Sequence, residues 1–296
     1  MIQIKALSPK VQVILAGTSI GLVKIDENRV VLIDSGFDRR TGRRILELIG
    51  NYGYKVEAIL NTHAHADHVG GNAVIQESTG CKIFASTNEA PAIGNPLMQA
   101  IALFGGAPFP ELLNPFIIAE PSKAEIFDAK QIKFGETEIE IIDLPGHSIG
   151  QKGFLVDGVA FLADTLFSAQ VINKHRLIYL FDPIAHIETC KRLRNLKADW
   201  YVGGHFSPIN NINGLIAENL GHTEAAINFL KGLLAIPQSF DRLLKSFLTH
   251  FSVKKGGWEH FLYRATLNAY LSALKRSGGA DFRVMDNLLV WYAVSN

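Results

Sequence analysis

Four side chains that can bind a metal ion lie within six residues near the start of the chain. The stretch NTHAHADHVGG contains His63, His65, Asp67 and His68. Imidazole nitrogens and carboxylate oxygens suit zinc and other first-row metals. On an extended segment residues i and i+2 point the same way, so His63 and His65 could bind one ion. A turn after them would direct Asp67 and His68 toward a second ion, as in two-metal hydrolytic sites. An ordinary polar loop rich in histidine is the alternative.

Three further metal-binding side chains stand where predicted buried strands end. His147 lies in LPGHS, Asp164 in FLADT and His205 in VGGH. Each has a glycine or another small residue beside it, which allows the backbone to approach closely. Because active sites tend to form in loops at the ends of buried strands, we expect these residues to join the first cluster.

The combined motifs resemble the signature of a known family. The set THAHADH, LPGHS, LADT and GGH, preceded by LIDSG, is similar to that of the metallo-β-lactamase-fold hydrolases over roughly residues 11–210. The resemblance implies the α/β class and an αββα sandwich with the site at one edge. It also implies two ligand sets, with Asp164 bridging them: His63, His65 and His147 for one metal ion, and Asp67, His68 and His205 for the other.

Single positions refine the resemblance. Asp34 in LIDSG matches a family carboxylate that orients the ligand loop, although a turn or capping role is the alternative. Zinc β-lactamases usually carry Cys in place of Asp164, so a lactam antibiotic is not the expected substrate. Di-iron relatives usually carry Glu in place of His65, so zinc hydrolysis is favoured over oxygen chemistry. The complete set is similar to that of glyoxalase II, lactonases and related phosphodiesterases.

The expected cofactor is a pair of divalent metal ions, zinc first, with iron and manganese as alternatives. Two such ions carry four positive charges, of which Asp67 and Asp164 offset two. The remaining field lowers the pKa of a shared water toward roughly 7, so that hydroxide can attack a carbonyl carbon or a phosphorus. We expect Asp67 and Asp164 to be the catalytic residues, with Asp164 accepting the proton of the water.

Three functions are consistent with these candidate ligands. Hydrolysis of an ester, thioester or lactone is the leading hypothesis. Phosphodiester cleavage, as in a ribonuclease, would need a basic track that leads to the metal ions. A non-catalytic metal-binding protein is the third, but a structural zinc site needs only four ligands and this chain offers seven candidates.

The composition predicts a globular protein without a membrane segment. The chain has 296 residues, of which 48% are hydrophobic and 19% charged. The formal net charge of +1 does not match a nucleic acid or an anionic membrane, so the expected partner is a small-molecule substrate. The two cysteines, far apart in sequence, are expected to be free thiols, and the N-terminus lacks the features of a signal peptide. We therefore expect a cytoplasmic location.

The elements around the motifs predict two domains. Strand and helix signals alternate over residues 1–236, which we expect to form the catalytic domain. Residues 88–121 are rich in Pro, Gly and apolar residues, so we expect an insertion that covers the site or packs as short helices. Residues 237–296 read as helices followed by a hairpin that turns at Asp286 and Asn287, a winged-helix-like pattern.

The C-terminal region holds eight Lys or Arg and four Asp or Glu, which gives a local net charge of +4. We expect it to pack on the catalytic domain or to form a homodimer. Nucleic-acid binding is not expected, because the basic residues of the recognition-helix candidate are scattered. Five other histidines, at positions 175, 186, 222, 250 and 260, are expected at the surface or in packing contacts. Core packing is favoured for Tyr179, and contact with a substrate oxygen is the alternative.

Overall fold

A computed structural model describes residues 3–253 and 256–294 of the chain. The first sheet has seven strands in chain order: β1 (Gln3–Ala6), β2 (Val11–Ala16), β3 (Thr18–Lys24), β4 (Arg29–Ile33), β5 (Lys55–Leu60), β6 (Lys82–Ser86) and β7 (Ala124–Phe127). Strands β1 to β4 pair antiparallel, and β4 to β7 pair parallel. Strand β4 is almost continuously apolar because both faces of the sheet are covered.

The second sheet has six strands, and their spatial order is β13-β12-β11-β10-β9-β8. The strands are β8 (Gln131–Phe134), β9 (Thr137–Asp143), β10 (Lys152–Val156), β11 (Val159–Ala163), β12 (Trp200–Gly203) and β13 (Phe206–Ile209). Neighbours β11 and β12 are parallel and the other pairs antiparallel. The two sheets face each other across a core that includes Val13, Val31, Phe154 and Phe161.

Helices cover the outer face of each sheet. Helices α1 (Arg39–Asn51) and α3 (Asn72–Thr79), with the short α2 (Ala66–Val69) between them, lie on the side of the first sheet. Helix α6 (Ala169–His175) precedes α7 (Pro183–Leu193) and α8 (Asn213–Leu233), and the latter two cover the second sheet. These layers confirm the predicted αββα sandwich.

Residues 88–121 fold as short helices, as the sequence predicts. Helices α4 (Ala90–Gly94) and α5 (Leu97–Phe104) are followed by a 3-10 helix over Pro110–Leu112. Leu112 and Ile117 form a small apolar cluster with Trp258 and Phe261 from the C-terminal region. The insertion therefore packs against the C-terminal region rather than standing free in solvent.

The C-terminal region has the winged-helix-like element order that the sequence predicts. Its elements are β14 (Gln238–Ser239), α9 (Phe240–His250), α10 (Glu259–Arg276), β15 (Ala280–Met285) and β16 (Leu288–Ala293), and its strands form a sheet in the order β14-β16-β15. The turn between β15 and β16 has positive φ at Asp286 and Asn287, the geometry that tight hairpins need.

One hydrophobic core crosses the predicted domain boundary. Leu177 and Leu180 from the connection after α6 pack with Leu230 of α8 and with Phe247 and Tyr270 of α9 and α10. The boundary between residues 236 and 237 stays a prediction, but the apolar packing is continuous across it.

Candidate metal centre

All the candidate ligands lie at one edge of the sandwich, where several strands reach their carboxyl ends. His63 and His65 follow β5, and Asp67 and His68 lie on α2 immediately after them. His147 follows β9, Asp164 follows β11 and His205 follows β12. These strands point the same way, so their ends meet at the same edge. The structure brings together all seven residues that the sequence selects.

Three histidines form the first ligand set. The Nδ1 atom of His65 lies 3.0 Å from Nε2 of His63 and 2.9 Å from Nε2 of His147. Burial lowers the pKa of all three imidazoles, and that of His147 falls to about 3. Neutral imidazole is the form whose lone pair binds a metal ion, so burial keeps this set ready for a cation.

Two carboxylates and two histidines form the second ligand set. Nε2 of His205 lies 3.2 Å from Oδ2 of Asp67 and 3.2 Å from Oδ2 of Asp164, and Nε2 of His68 lies 3.2 Å from Oδ1 of Asp164. The candidate ligand atoms of this set all lie within 4.8 Å of one another. Asp164 also lies 3.5 Å from Nε2 of His147, so its carboxylate stands between the two sets.

The carboxylates make the second set strongly negative. Asp164 raises the pKa of His205 to about 10, although burial opposes the shift. Burial lowers the pKa of His68, but Asp164 and Asp34 outweigh it and raise that pKa well above its usual value. Burial raises the pKa of Asp67, but the charge of His68 and the hydrogen bond from His205 lower it to about 2. The two raised histidine pKa values reflect the negative charge of the carboxylates, and the lowered pKa of Asp67 reflects the positive charge of its histidine neighbours.

Two buried atoms of the second set fit a bound cation. Within the described residues, Nε2 of His68 and Oδ1 of Asp164 lie 3.2 Å apart but make no hydrogen bond to each other or to another group, although buried polar atoms almost always make one. A Cβ atom at Gly204 would collide with that Asp164 oxygen, so only glycine leaves the space open. Imidazole nitrogens and carboxylate oxygens at these distances are a donor set that suits zinc.

Asp34 makes hydrogen bonds to the ligand loop. Its carboxylate accepts hydrogen bonds from the backbone N–H of Thr62 at 2.8 Å and from the Thr62 hydroxyl at 2.8 Å. Oδ2 also lies 2.7 Å from Nδ1 of His68, which fixes the ring so that Nε2 faces the second set. Asp34 has a φ of 63°, an uncommon backbone conformation for a residue other than glycine. The geometry favours the positioning role over the turn or cap alternative.

Glu89 is a supporting residue that the sequence patterns did not reveal. Its buried carboxylate accepts hydrogen bonds from the backbone N–H groups of Ala64 and Gly150, at 2.9 and 2.8 Å, and from the Ser148 hydroxyl at 2.7 Å. It therefore connects the loop that carries His63 and His65 with the loop that carries His147. It is one of three acidic residues in the mostly apolar insertion, so the sequence alone did not single it out.

Another histidine packs beside the centre without joining either ligand set. Within the described residues, none of the five remaining histidines belongs to either ligand set. His186 is buried and its Nε2 lies 2.9 Å from the carbonyl oxygen of Thr165, beside Asp164. A Cβ atom at Gly146 would collide with the backbone of His186, which explains the glycine before His147. The packing role expected for His186 agrees with this position.

Tyr179 lies at the site rather than in the core. Its ring centroid is 5.9 Å from that of His65 and 5.8 Å from that of His147, and its carbonyl oxygen lies 3.1 Å from Nδ1 of His147. The side chain lines both cavities that open beside the ligands, so the expectation of core packing was wrong. Periodicity could not reveal this, because an apolar run such as LIYLF reads the same beside a cavity and inside a core.

Two cavities meet at the ligand cluster. One, of about 540 Å³, includes His65, Asp67, His147 and Asp164 in its wall. The other, of about 630 Å³, includes Asp67, His147 and His205. A substrate could therefore extend from the ligand cluster in two directions.

The family model described as the metallo-beta-lactamase superfamily matches residues 14–205, which include every candidate ligand. The chain belongs to this superfamily. The resemblance seen in the motifs is thereby confirmed.

Several curated proteins that are similar to this chain are named hydroxyacylglutathione hydrolases. The protein of that name from Rhizobium johnstonii is 32% identical over 126 residues, which make up 42% of this chain and 39% of the relative. The one from Chelativorans sp. is 28% identical over 170 residues, or 56% of this chain and 55% of the relative. The matches thus span about two fifths to just over half of these relatives.

Solved structures share the whole fold, including the C-terminal region. A beta-lactamase domain protein from Burkholderia ambifaria aligns with a TM-score of 0.75 at 16% identity, over 99% of this chain and 94% of that one. A metallo-beta-lactamase family protein from Thermus thermophilus aligns with a TM-score of 0.72 at 21% identity, over 99% and 98%. Within residues 3–253 and 256–294, no helix combines the length and apolar character needed to cross a bilayer.

Proposed function

We propose that this chain is a metal-dependent hydrolase that holds two divalent cations, zinc first, and cleaves an ester, thioester or lactone. The observation that carries the proposal is the convergence of two ligand sets, with unpartnered buried atoms, where two cavities meet. A three-histidine set leaves a position free for water or substrate, as catalytic zinc sites do. The name of the hydroxyacylglutathione hydrolases, which denotes thioester cleavage, supports the reaction class.

We assign the ligands in two groups that share one carboxylate. His63, His65 and His147 would hold the first cation, and Asp67, His68 and His205 the second, with Asp164 between them. When bound, two divalent cations lower the pKa of a nearby water toward about 7 and polarise a carbonyl oxygen. The Asp67 side chain is 32% exposed and lines both cavities, so it can accept a proton from water or orient the substrate. The Asp164 carboxylate lies between the sets and is the second proton acceptor.

Tyr179 is placed to bind the substrate. Burial raises the pKa of its hydroxyl to about 12, so the group stays protonated at neutral pH. A phenol that lines both cavities can donate a hydrogen bond to an oxygen of the substrate.

Nucleic acid is not a substrate in this proposal. Helix α10, which would be the recognition helix of a winged-helix domain, packs against α8 and α9 on one side and faces a cavity on another. Two of its basic residues are engaged: Arg264 pairs with Asp241 at 2.9 Å and Arg276 pairs with Asp182 at 2.7 Å. This packing supports a small-molecule substrate over a ribonuclease track.

The test is a panel of esters, thioesters, lactones and bis-nitrophenyl phosphate, run on the zinc-loaded protein and on His68→Ala. We expect the intact protein to hydrolyse members of the first three classes. His68→Ala should lose at least roughly a hundredfold in kcat/KM and bind less than two zinc ions per chain. The exposed Glu136→Ala serves as the control. If wild type and His68→Ala are equally inert on every compound, the hydrolase proposal fails.

A further inference from the structure

Helix α10 has two differently used faces. Its residues Leu267, Tyr270 and Leu274 lie in the hydrophobic core that the C-terminal region shares with α8. A second face lines the cavity of about 540 Å³, with Trp258 at the start of the helix followed by Leu262, Ala265, Ala269 and Ser272, and with Asn268 beside Ala269. The spacing of four, three, four and three residues from Trp258 to Ser272 is that of one helix face. This face extends over fourteen steps of 1.5 Å, or about 21 Å.

The remaining walls of this cavity are mostly apolar. Helix α5 contributes Ala102 and Leu103, the end of the insertion contributes Ile117, and the connection before α7 contributes Leu180 and Phe181. None of the 19 described residues that line it is a lysine or an arginine. We call this cavity the apolar cleft. One end of it contains the candidate ligands His65 and His147.

The second cavity differs from the apolar cleft in charge, although most of its wall is also apolar. Helix α6 contributes Gln170, Lys174 and His175 to that wall. Lys174 is exposed, so its ammonium group gives this side of the ligand cluster a positive charge. A substrate that fills both cavities would place an apolar chain in the cleft, and a polar or anionic group on its other half would lie on the side of Lys174.

We propose that the substrate carries an extended apolar chain on one side of the scissile bond, and that the apolar cleft binds this chain. The inference rests on the proposed hydrolase function and adds the substrate class to it. Ala265 and Ala269 have small side chains on the cleft face, which leaves room for a chain along the helix. Transfer of each methylene from water should improve kcat/KM by roughly two- to fourfold until the cleft is filled.

The first experiment measures kcat/KM of the zinc-loaded protein on two ester series. One series lengthens the acyl half from two to twelve carbons, and the other lengthens the alkoxy half. We expect a steep rise with length in one series only, which identifies the half that occupies the cleft. A flat dependence in both series, with hydrolysis intact, overturns the cleft proposal and leaves the hydrolase proposal standing.

Variants of the cleft face supply the second test. Ala269→Leu and Ala265→Leu should reduce kcat/KM for ten-carbon substrates at least tenfold while changing it less than twofold for two-carbon substrates. Ala225→Leu, an exposed alanine on α8, is the matched control and should leave the length profile unchanged. Using two cleft variants guards against one of them failing to fold. If the folded cleft variants keep the wild-type profile, the proposal is wrong.

Binding without turnover separates the two proposals. A fluorescent derivative of undecanoic acid should bind the zinc-loaded wild type and Ala225→Leu, and bind Ala269→Leu at least tenfold more weakly. Probe binding that depends on Ala269, without hydrolysis of any ester, thioester or lactone, supports the cleft and refutes the hydrolase. Absence of probe binding in an active wild-type protein refutes the cleft alone.

Discussion

At the scale of single residues, the carboxylates of Asp34 and Glu89 hold the ligand loops in place. Asp34 fixes the ring of His68 from one side of the cluster. Glu89 lies on another side of the cluster and joins the two loops of the three-histidine set. Its carboxylate accepts three hydrogen bonds, all from uncharged donors. Such supporting groups commonly change metal affinity by roughly 10- to 100-fold when they are replaced.

Replacing Glu89 tests this role. In Glu89→Ala three buried donors lose their acceptor, so we expect the free energy of unfolding to fall by about 3 kcal/mol. Zinc affinity should fall roughly tenfold or more, because the loops that carry His63 and His147 lose their connection. Urea unfolding and competition with a chromophoric chelator measure the two effects.

The matched control for this prediction is Glu136→Ala, since the Glu136 side chain is 97% exposed. It should change neither quantity measurably. If Glu89→Ala behaves like this control in both measurements, Glu89 does not position the loops.

At the scale of elements, the start of α7 fastens the end of α10. Asp182 caps α7 by accepting hydrogen bonds from the backbone N–H groups of Ile184 and Ala185, at 3.0 and 3.2 Å. The same carboxylate pairs with Arg276, close to the part of the connection that lines the apolar cleft. One side chain therefore serves a helix cap and a contact between two helices.

Two substitutions separate these contributions. Asp182→Ala loses both and should lower the free energy of unfolding by about 1–2 kcal/mol, most of it from the cap. Asp182→Asn can still cap the helix and loses only the ion pair. It should lower the free energy of unfolding by less than about 1 kcal/mol, because the Arg276 side chain is half exposed. Urea unfolding at pH 7 measures both, with Asp241→Asn as the control for an exposed pair.

The same pair has a defined pH dependence. Burial raises the pKa of Asp182, but the hydrogen bond from Arg276 and the cap hydrogen bonds outweigh it and lower the pKa below its usual value. A carboxyl group whose pKa is lower in the folded state contributes stability above its unfolded pKa of about 4, and loses it as the pH falls further. The difference between wild type and Asp182→Asn should shrink below about pH 4. A difference that grows there would contradict the assignment.

At the scale of the whole molecule, the C-terminal region completes the catalytic part. It supplies one wall of the apolar cleft and part of the core around Leu180 and Leu230. Two solved structures align over 99% of the chain, so they share its fold through the C-terminal region. A homodimer and the two-domain division stay predictions from the sequence.

Removing residues 237–296 tests the division into domains. Truncation would expose Leu177, Leu180 and Leu230, which pack against α9 and α10. We therefore expect the fragment 1–236 to lose cooperative unfolding and near-UV circular dichroism and to bind a hydrophobic dye, as partly folded states do. A fragment that unfolds cooperatively and binds zinc would instead establish an independent catalytic domain.

The sequence determined the parts of this protein that local rules encode. A turn signal located the hairpin at Asp286 and Asn287, and the apolar insertion was expected to cover the site or to pack as short helices. The spacing in THAHADH indicated a metal cluster, because side chains one or two positions apart have fixed relative directions. The positions of His147, Asp164 and His205 after predicted strands added them to the cluster, and the family resemblance divided the ligands into two sets.

Only the tertiary structure decided what surrounds that cluster. Glu89 reaches Ser148 across 59 positions, and Phe116 stacks on Trp258 from a different part of the chain. Neither contact follows from composition or periodicity, because an apolar helix face reads the same whether it meets a core or a cavity. Which face of α10 is buried in the core and which lines the cleft depends on how distant elements pack against it. That packing is a property of the assembled chain rather than of any segment.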